Sequence, residues 1–154
     1  MIIIKNTQRL VKIDKNKLKK NAQGILDIIG YEDFDLGIWL TSNKTIQKIN
    51  REYRKKDKPT DILSFSFHPN IKPGKKINAR NEDEKNLGDL ILSPIYIEEQ
   101  LKNTNISFED RLEVLLIHGI CHLLGYDHEI DKDYRQMRAK ELSILKKLKS
   151  LKIN

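Results

Sequence analysis

With Cys121 as its only cysteine, the chain cannot close an internal disulfide, which excludes the cross-linked scaffolds of small secreted domains and fits a reducing compartment. Long apolar runs are also missing. Stretches such as Met1 to Ile4 and Val114 to Ile117 are far too short to cross a bilayer, and no signal-peptide core follows the N terminus. Internal repeats and low-complexity tracts are absent, so repeat architectures are excluded. Acidic residues are in the minority, 22 against 29 basic, giving a net charge of +7 and a pI of about 9.4. Such a balance attracts polyanions: RNA, DNA or an anionic membrane surface. Lysine, asparagine and isoleucine are abundant throughout, however, so charge alone does not separate a nucleic-acid ligand from compositional bias. A length of 154 residues suits one domain, 1–154, expected in the cytoplasm and without a membrane partner.

Strands and helices are both legible. Ile2 to Ile4 reads as a strand, and an amphipathic helix from Asp14 carries Leu18, Ile25, Leu26 and Ile29 up to Gly30. Leu36 to Leu40 is a second strand. Thr41-Ser42-Asn43 offers caps for a helix with Ile46, Ile49 and Tyr53 at helical spacing, ending near Arg54 to Lys58. After Pro59, Ile62 to Phe67 alternates as a third strand, with Leu63, Phe65 and Phe67 expected on the core side. From His68 to Asn86, two prolines, one glycine and mixed charge predict a long, exposed loop, mobile or, as the alternative, an RNA-contacting flap. Leu87 to Leu92 is a fourth strand, and Pro94 opens a helix to about Leu101. Ser107 caps a further helix, with Asp110 completing a capping-box pattern ahead of the apolar run Leu112 to Ile117. A last helix carries Tyr134, Met137, Leu142, Leu145 and Leu148 on its docked face. These elements predict an α+β fold, a mixed four-stranded sheet covered by helices, with a zincin-like metal helix.

The chemistry concentrates in the eleven residues HGICHLLGYDH. His118 and His122, four apart, stack on one helix face and can bind one ion. Gly125 can end that helix in a left-handed turn and return the chain to the same face, making His128 a third ligand. Three imidazoles leave a tetrahedral ion one open position, the mark of a catalytic site. Zinc is the default ion, although imidazole also suits nickel, copper and iron. Cys121 lies about 60° round the helix from His118 and reads as a small buried residue rather than a ligand. Asp127 could orient an imidazole or be an exposed turn residue, and His68 reads as a loop residue.

The spacing H-x3-H-x5-H with its glycine also resembles that of the metzincin proteases, but their general-base glutamate is replaced here by Gly119. A metal ion can lower the pKa of a bound water to about 7, so hydrolysis does not require that carboxylate.

Taken with NREYRKKDKPTDILSFSF upstream and LGDLILSP between, HGICHLLGYDH resembles the YbeY family of bacterial endoribonucleases and rRNA maturation factors. The resemblance implies a cytoplasmic, metal-dependent ribonuclease acting in late 16S rRNA 3′-end maturation and in ribosome quality control. Its partners would be precursor rRNA, the small ribosomal subunit and ribosome-associated proteins, with no DNA expected. It also implies that His118, His122 and His128 are the metal ligands and that Arg54 is the functional arginine. A guanidinium fork stabilises the charge that builds on phosphate oxygens during cleavage better than a lysine does. A single-strand-specific endoribonuclease is therefore the expected activity. The alternatives are a zinc-dependent, metalloprotease-like hydrolase and a ribosome-associated module with a structural metal.

Overall fold

The computed structural model describes residues 1–153. In chain order the elements are β1 (Ile2–Asn6), α1 (Lys15–Ile29), β2 (Asp35–Leu40), α2 (Asn43–Arg54), β3 (Ile62–Ser66), a 3-10 turn (Glu82–Glu84), β4 (Asn86–Leu92), α3 (Pro94–Gln100), α4 (Phe108–Leu123) and α5 (Asp131–Ile153). The strands form one mixed sheet in the order β1-β2-β4-β3. β1 and β4 each run parallel to β2, and β3 runs antiparallel to β4. This is the α+β architecture expected from the sequence.

Local chemistry sets the helix starts. The side chains of Asp14, Ser42, Ser93 and Ser107 each accept a hydrogen bond from a backbone N–H in the first turn of α1, α2, α3 and α4. The sheet then buries its two faces unequally. Leu36, Ile38, Leu40, Leu90 and Leu92 form the main core with α1, α4 and α5, in which Ile25, Leu116 and Met137 are almost wholly buried. On the opposite face a smaller cluster joins Ile46 of α2 to Leu63 and Ile91, with Trp39, Ile49 and Phe65 half-buried around it.

Three expectations are corrected. Along β3 the alternation holds, and Leu63 is buried as expected, but Phe65 is only half-buried and Phe67 is 48% exposed. The main core lies on the Ile62, Ser64 and Ser66 side, because small residues there let α4 approach closely. A Cβ built on Gly119 would stand 2.7 Å from Ile62 Cδ1 and 2.8 Å from Leu90 Cδ2, and Ser66 Oγ donates to the Leu123 carbonyl at 3.0 Å. In α5, Tyr134 and Leu142 are exposed and Leu145 is half-buried, while Met137, Ile144 and Leu148 supply the buried stripe.

The segment between His68 and Asn86 is partly buried rather than exposed throughout. Ile77 is buried and its N–H donates to the Tyr31 hydroxyl at 3.0 Å, and His68 Nε2 meets the Glu84 carbonyl at 2.7 Å. Its few apolar residues, Ile71, Ile77 and Ala79, pack on the main core despite the polar composition around them.

Candidate metal centre

Helix α4 carries the first two histidines at the end of its most buried segment, so its backbone is clasped between the sheet and α5 before any ligand is considered. Leu124 and Gly125 then terminate it. Gly125 has φ 91°, and a Cβ at this position would lie 2.2 Å from the Ile71 carbonyl oxygen, so both conformation and space demand glycine. The turn brings His128 back over the helix end, where Asp127 Oδ1 accepts from the His128 N–H at 2.7 Å. Asp127 thus fixes the backbone of the third histidine rather than its ring.

The three rings converge. One nitrogen from each of His118, His122 and His128 lies within 4.8 Å of the others, and the Nε2 atoms of His118 and His122 are 3.1 Å apart. Two ligands at about 2.05 Å from a tetrahedral ion would be roughly 3.3 Å apart, so the pair already has the separation of a shared cation. The protonation pattern agrees. Glu141 of α5 places Oε2 3.1 Å from His118 Nδ1. An ionised carboxylate only accepts, which puts the ring proton on Nδ1 and leaves Nε2 its lone pair for an ion. Burial, reinforced by the neighbouring His118 and His128 rings, pushes His122 down to about 4. Its imidazole is therefore neutral at pH 7, the form that binds metal. The trio could hold a metal ion.

Cys121, next to His122 in sequence, is wholly buried, and desolvation pushes its thiol up to about 12. Buried in the core and outside the cluster of convergent ring nitrogens, it is not placed as a fourth ligand.

The histidines open on a cleft of about 570 Å³ whose lining includes His118, His122, His128, Ser64, Phe65 and Arg54. Arg54 is the last residue of α2 and is exposed. Lys55 leaves the helix in the left-handed region, φ 59°, and the turn beyond is held by the buried Asn50, whose Nδ2 donates to the Lys58 carbonyl at 2.9 Å. Asp61, on the same lining, accepts from Ile62 N and lies 3.4 Å from Arg111, so it is tied into the scaffold.

Reading the sequence alone missed Glu141 as the partner of His118. Its signal was a charged residue on the stripe Met137, Glu141, Ile144, Leu148, where helical spacing otherwise places apolar side chains.

Known proteins resemble this chain in sequence and fold. The human protein named Endoribonuclease YbeY is 41% identical over 147 residues, covering 96% of this chain and 87% of its own. Its Fusobacterium nucleatum namesake is 46% identical over 135 residues, covering 86% and 80%. A Thermotoga maritima protein solved in solution superposes with a TM-score of 0.60 at 28% identity, over 96% of this chain and 89% of that one. The family described as Endoribonuclease YbeY matches residues 3–149, and with relatives this similar over nearly their whole length, the chain belongs to the YbeY endoribonuclease family.

Proposed function

We propose that this protein is a zinc-dependent endoribonuclease that cuts single-stranded RNA, and that it acts in the cytoplasm in late 16S rRNA 3′-end maturation and in ribosome quality control. The observation that carries the catalytic part is the placement of three convergent histidines and Arg54 on one open cleft. The rRNA substrate, the small ribosomal subunit and its associated proteins as partners are what the family resemblance implies, and the +7 charge suits a polyanionic substrate.

His118, His122 and His128 would hold the ion. Once bound, it would supply Lewis acidity to water and to a phosphate oxygen. Glu141 holds the His118 ring in the required tautomer. Arg54 reaches the cleft from the end of α2 and offers a forked, permanently charged donor to the phosphate oxygens on which negative charge develops. A protease-type glutamate after the first histidine is not only missing: the Gly119 position, pressed on Ile62 and Leu90, has no room for one. His128 is exposed and the trio opens on the cleft, a layout that admits substrate, whereas structural ions are enclosed by four protein ligands.

The test is cleavage of a single-stranded rRNA fragment together with metal analysis. His118→Ala loses both metal and cleavage, while Arg54→Glu keeps the metal and loses about 100-fold or more in rate. RNA affinity falls with salt at a slope of about −0.7 per phosphate contact. A metal-free His118→Ala protein that cuts at the wild-type rate would overturn the proposal, as would a fold that melts on chelation, since that would mark the ion as structural.

A further inference from the structure

The open face of the sheet carries a second depression that the metal chemistry does not use. Trp39, Ile49, Tyr53, Phe65 and Asp89 line a groove of about 550 Å³ where α2 leaves the strands uncovered. Tyr53 and Phe65 line both this groove and the metal cleft, so the two spaces are neighbours that share this pair of rings as a border. Their rings meet edge to face at 5.2 Å, yet Tyr53 stays 68% exposed. Strand register explains the flat floor, since Gly37, Asp89 and Phe65 form one cross-strand row. Gly37 has no side chain, and the Asp89 carboxylate lies over it, 2.1 Å from where a Cβ would be. Among the described residues no hydrogen bond or ion pair is made to that carboxylate, and it is exposed. Lys5 stands 5.1 Å over the Trp39 ring, and Lys48 lies on the groove wall beside Glu52.

We propose that this groove is a nucleobase subsite, in which unpaired bases next to the cleaved phosphate stack on the Trp39, Tyr53 and Phe65 side chains while Asp89 accepts a base N–H. The inference rests on the RNA-cleaving function above and extends it to how the strand is held. An exposed tyrosine ring flanked by two half-buried aromatics, with an unpartnered acceptor beside them, matches what a splayed base offers, a π-face and N–H donors at its edge. Lys5 beside Trp39 and Lys48 on the groove wall each offer a cation to a backbone phosphate, against the carboxylates of Glu52 and Asp89. Because Tyr53 and Phe65 border both spaces, a strand whose phosphate sits at the histidines has only to cross these two rings to set its neighbouring bases in the groove.

Trp39 is the only tryptophan, so its fluorescence reports on the groove without labelling. Full-length protein is titrated with oligocytidine in EDTA, with strand integrity checked on a gel, against an abasic strand of equal length and phosphate charge. Oligocytidine changes Trp39 emission and binds about tenfold more tightly than the abasic strand. Tyr53→Ala, at a mainly exposed position, removes most of that advantage, while Tyr53→Phe retains it. Equal binding by the two strands overturns the proposal, and so does an oligocytidine complex that leaves Trp39 emission unchanged, the outcome expected of a groove that takes a protein segment instead. Failure of the catalytic reading shows separately, as lost metal dependence of cleavage, because this binding is read with metal removed.

Discussion

Glu141 gives the sharpest perturbation of the proposed metal centre that leaves its three histidines in place. Its carboxylate is 3.1 Å from His118 Nδ1, and its side chain is only 12% exposed. Glu141→Gln keeps the volume and one acceptor oxygen but removes the charge. Hydrogen bonds to charged groups are worth about 1.5–3 kcal/mol against about 0.5–1.5 for neutral ones, so about 1–1.5 kcal/mol of ligand support is lost. That corresponds to roughly tenfold weaker metal binding. Glu141→Ala removes the acceptor and leaves the His118 ring free to turn, which belongs at about the 100-fold end of the range for groups that orient a ligand. Competition for zinc against a chromophoric chelator at fixed pH measures both, and far-UV circular dichroism checks that the helices persist. Two variants that bind zinc as tightly as the wild type, or a glutamine variant weaker than the alanine one, would refute the reasoning.

Gly119→Ala forces a methyl to within 3 Å of Ile62 and Leu90, and urea unfolding should show a loss of about 1–3 kcal/mol. Cys121, buried with its thiol pushed up to about 12, should resist a thiol-specific reagent at pH 8 in the native protein and react promptly in denaturant. Rapid labelling of the native protein would contradict this burial. For the metal-free protein, His122 is held at about 4 in the fold against about 6.5 when unfolded. The unfolded chain therefore takes up a proton that the fold refuses. The His122 contribution is whole above pH 6.5 and is lost as pH falls towards 4, by about 1–2 kcal/mol after allowing for a half-buried ring. His122→Gln should flatten that part of the urea-stability profile.

Much of the architecture was legible because its signals are local. Capping serines at 42 and 107, the helix opened by Pro94 and the left-handed turn at Gly125 stand where the sequence places them. The three histidines meet because four residues make one helical turn and one glycine allows the return. What escaped depends on contacts between distant segments. Ser64 and Ser66 look like a polar face until α4 arrives with Gly119, and then the small residues are what the interface needs. The segment from His68 to Asn86 looks solvated by composition, yet Ile77 finds Tyr31 46 residues away. Glu141 looks like one more charge on a basic helix until α5 docks and sets it against His118.

The same contacts divide the cleft into two kinds of wall. On one side His118, His122 and Glu141 belong to α4 and α5, whose packing against each other also builds the main core. On the other, Arg54 and Tyr53 end a helix that covers the open sheet face through one buried isoleucine, Ile46, and half-buried neighbours. Binding a cation needs ligands held to fractions of an ångström, and a dense core supplies that rigidity. Receiving a flexible strand needs exposed side chains that can adjust, and a lightly packed helix end supplies those. Substitutions on the first wall should therefore change metal affinity and stability together. Substitutions at Tyr53 and Arg54 should alter handling of the polyanion while leaving the unfolding transition almost where it was.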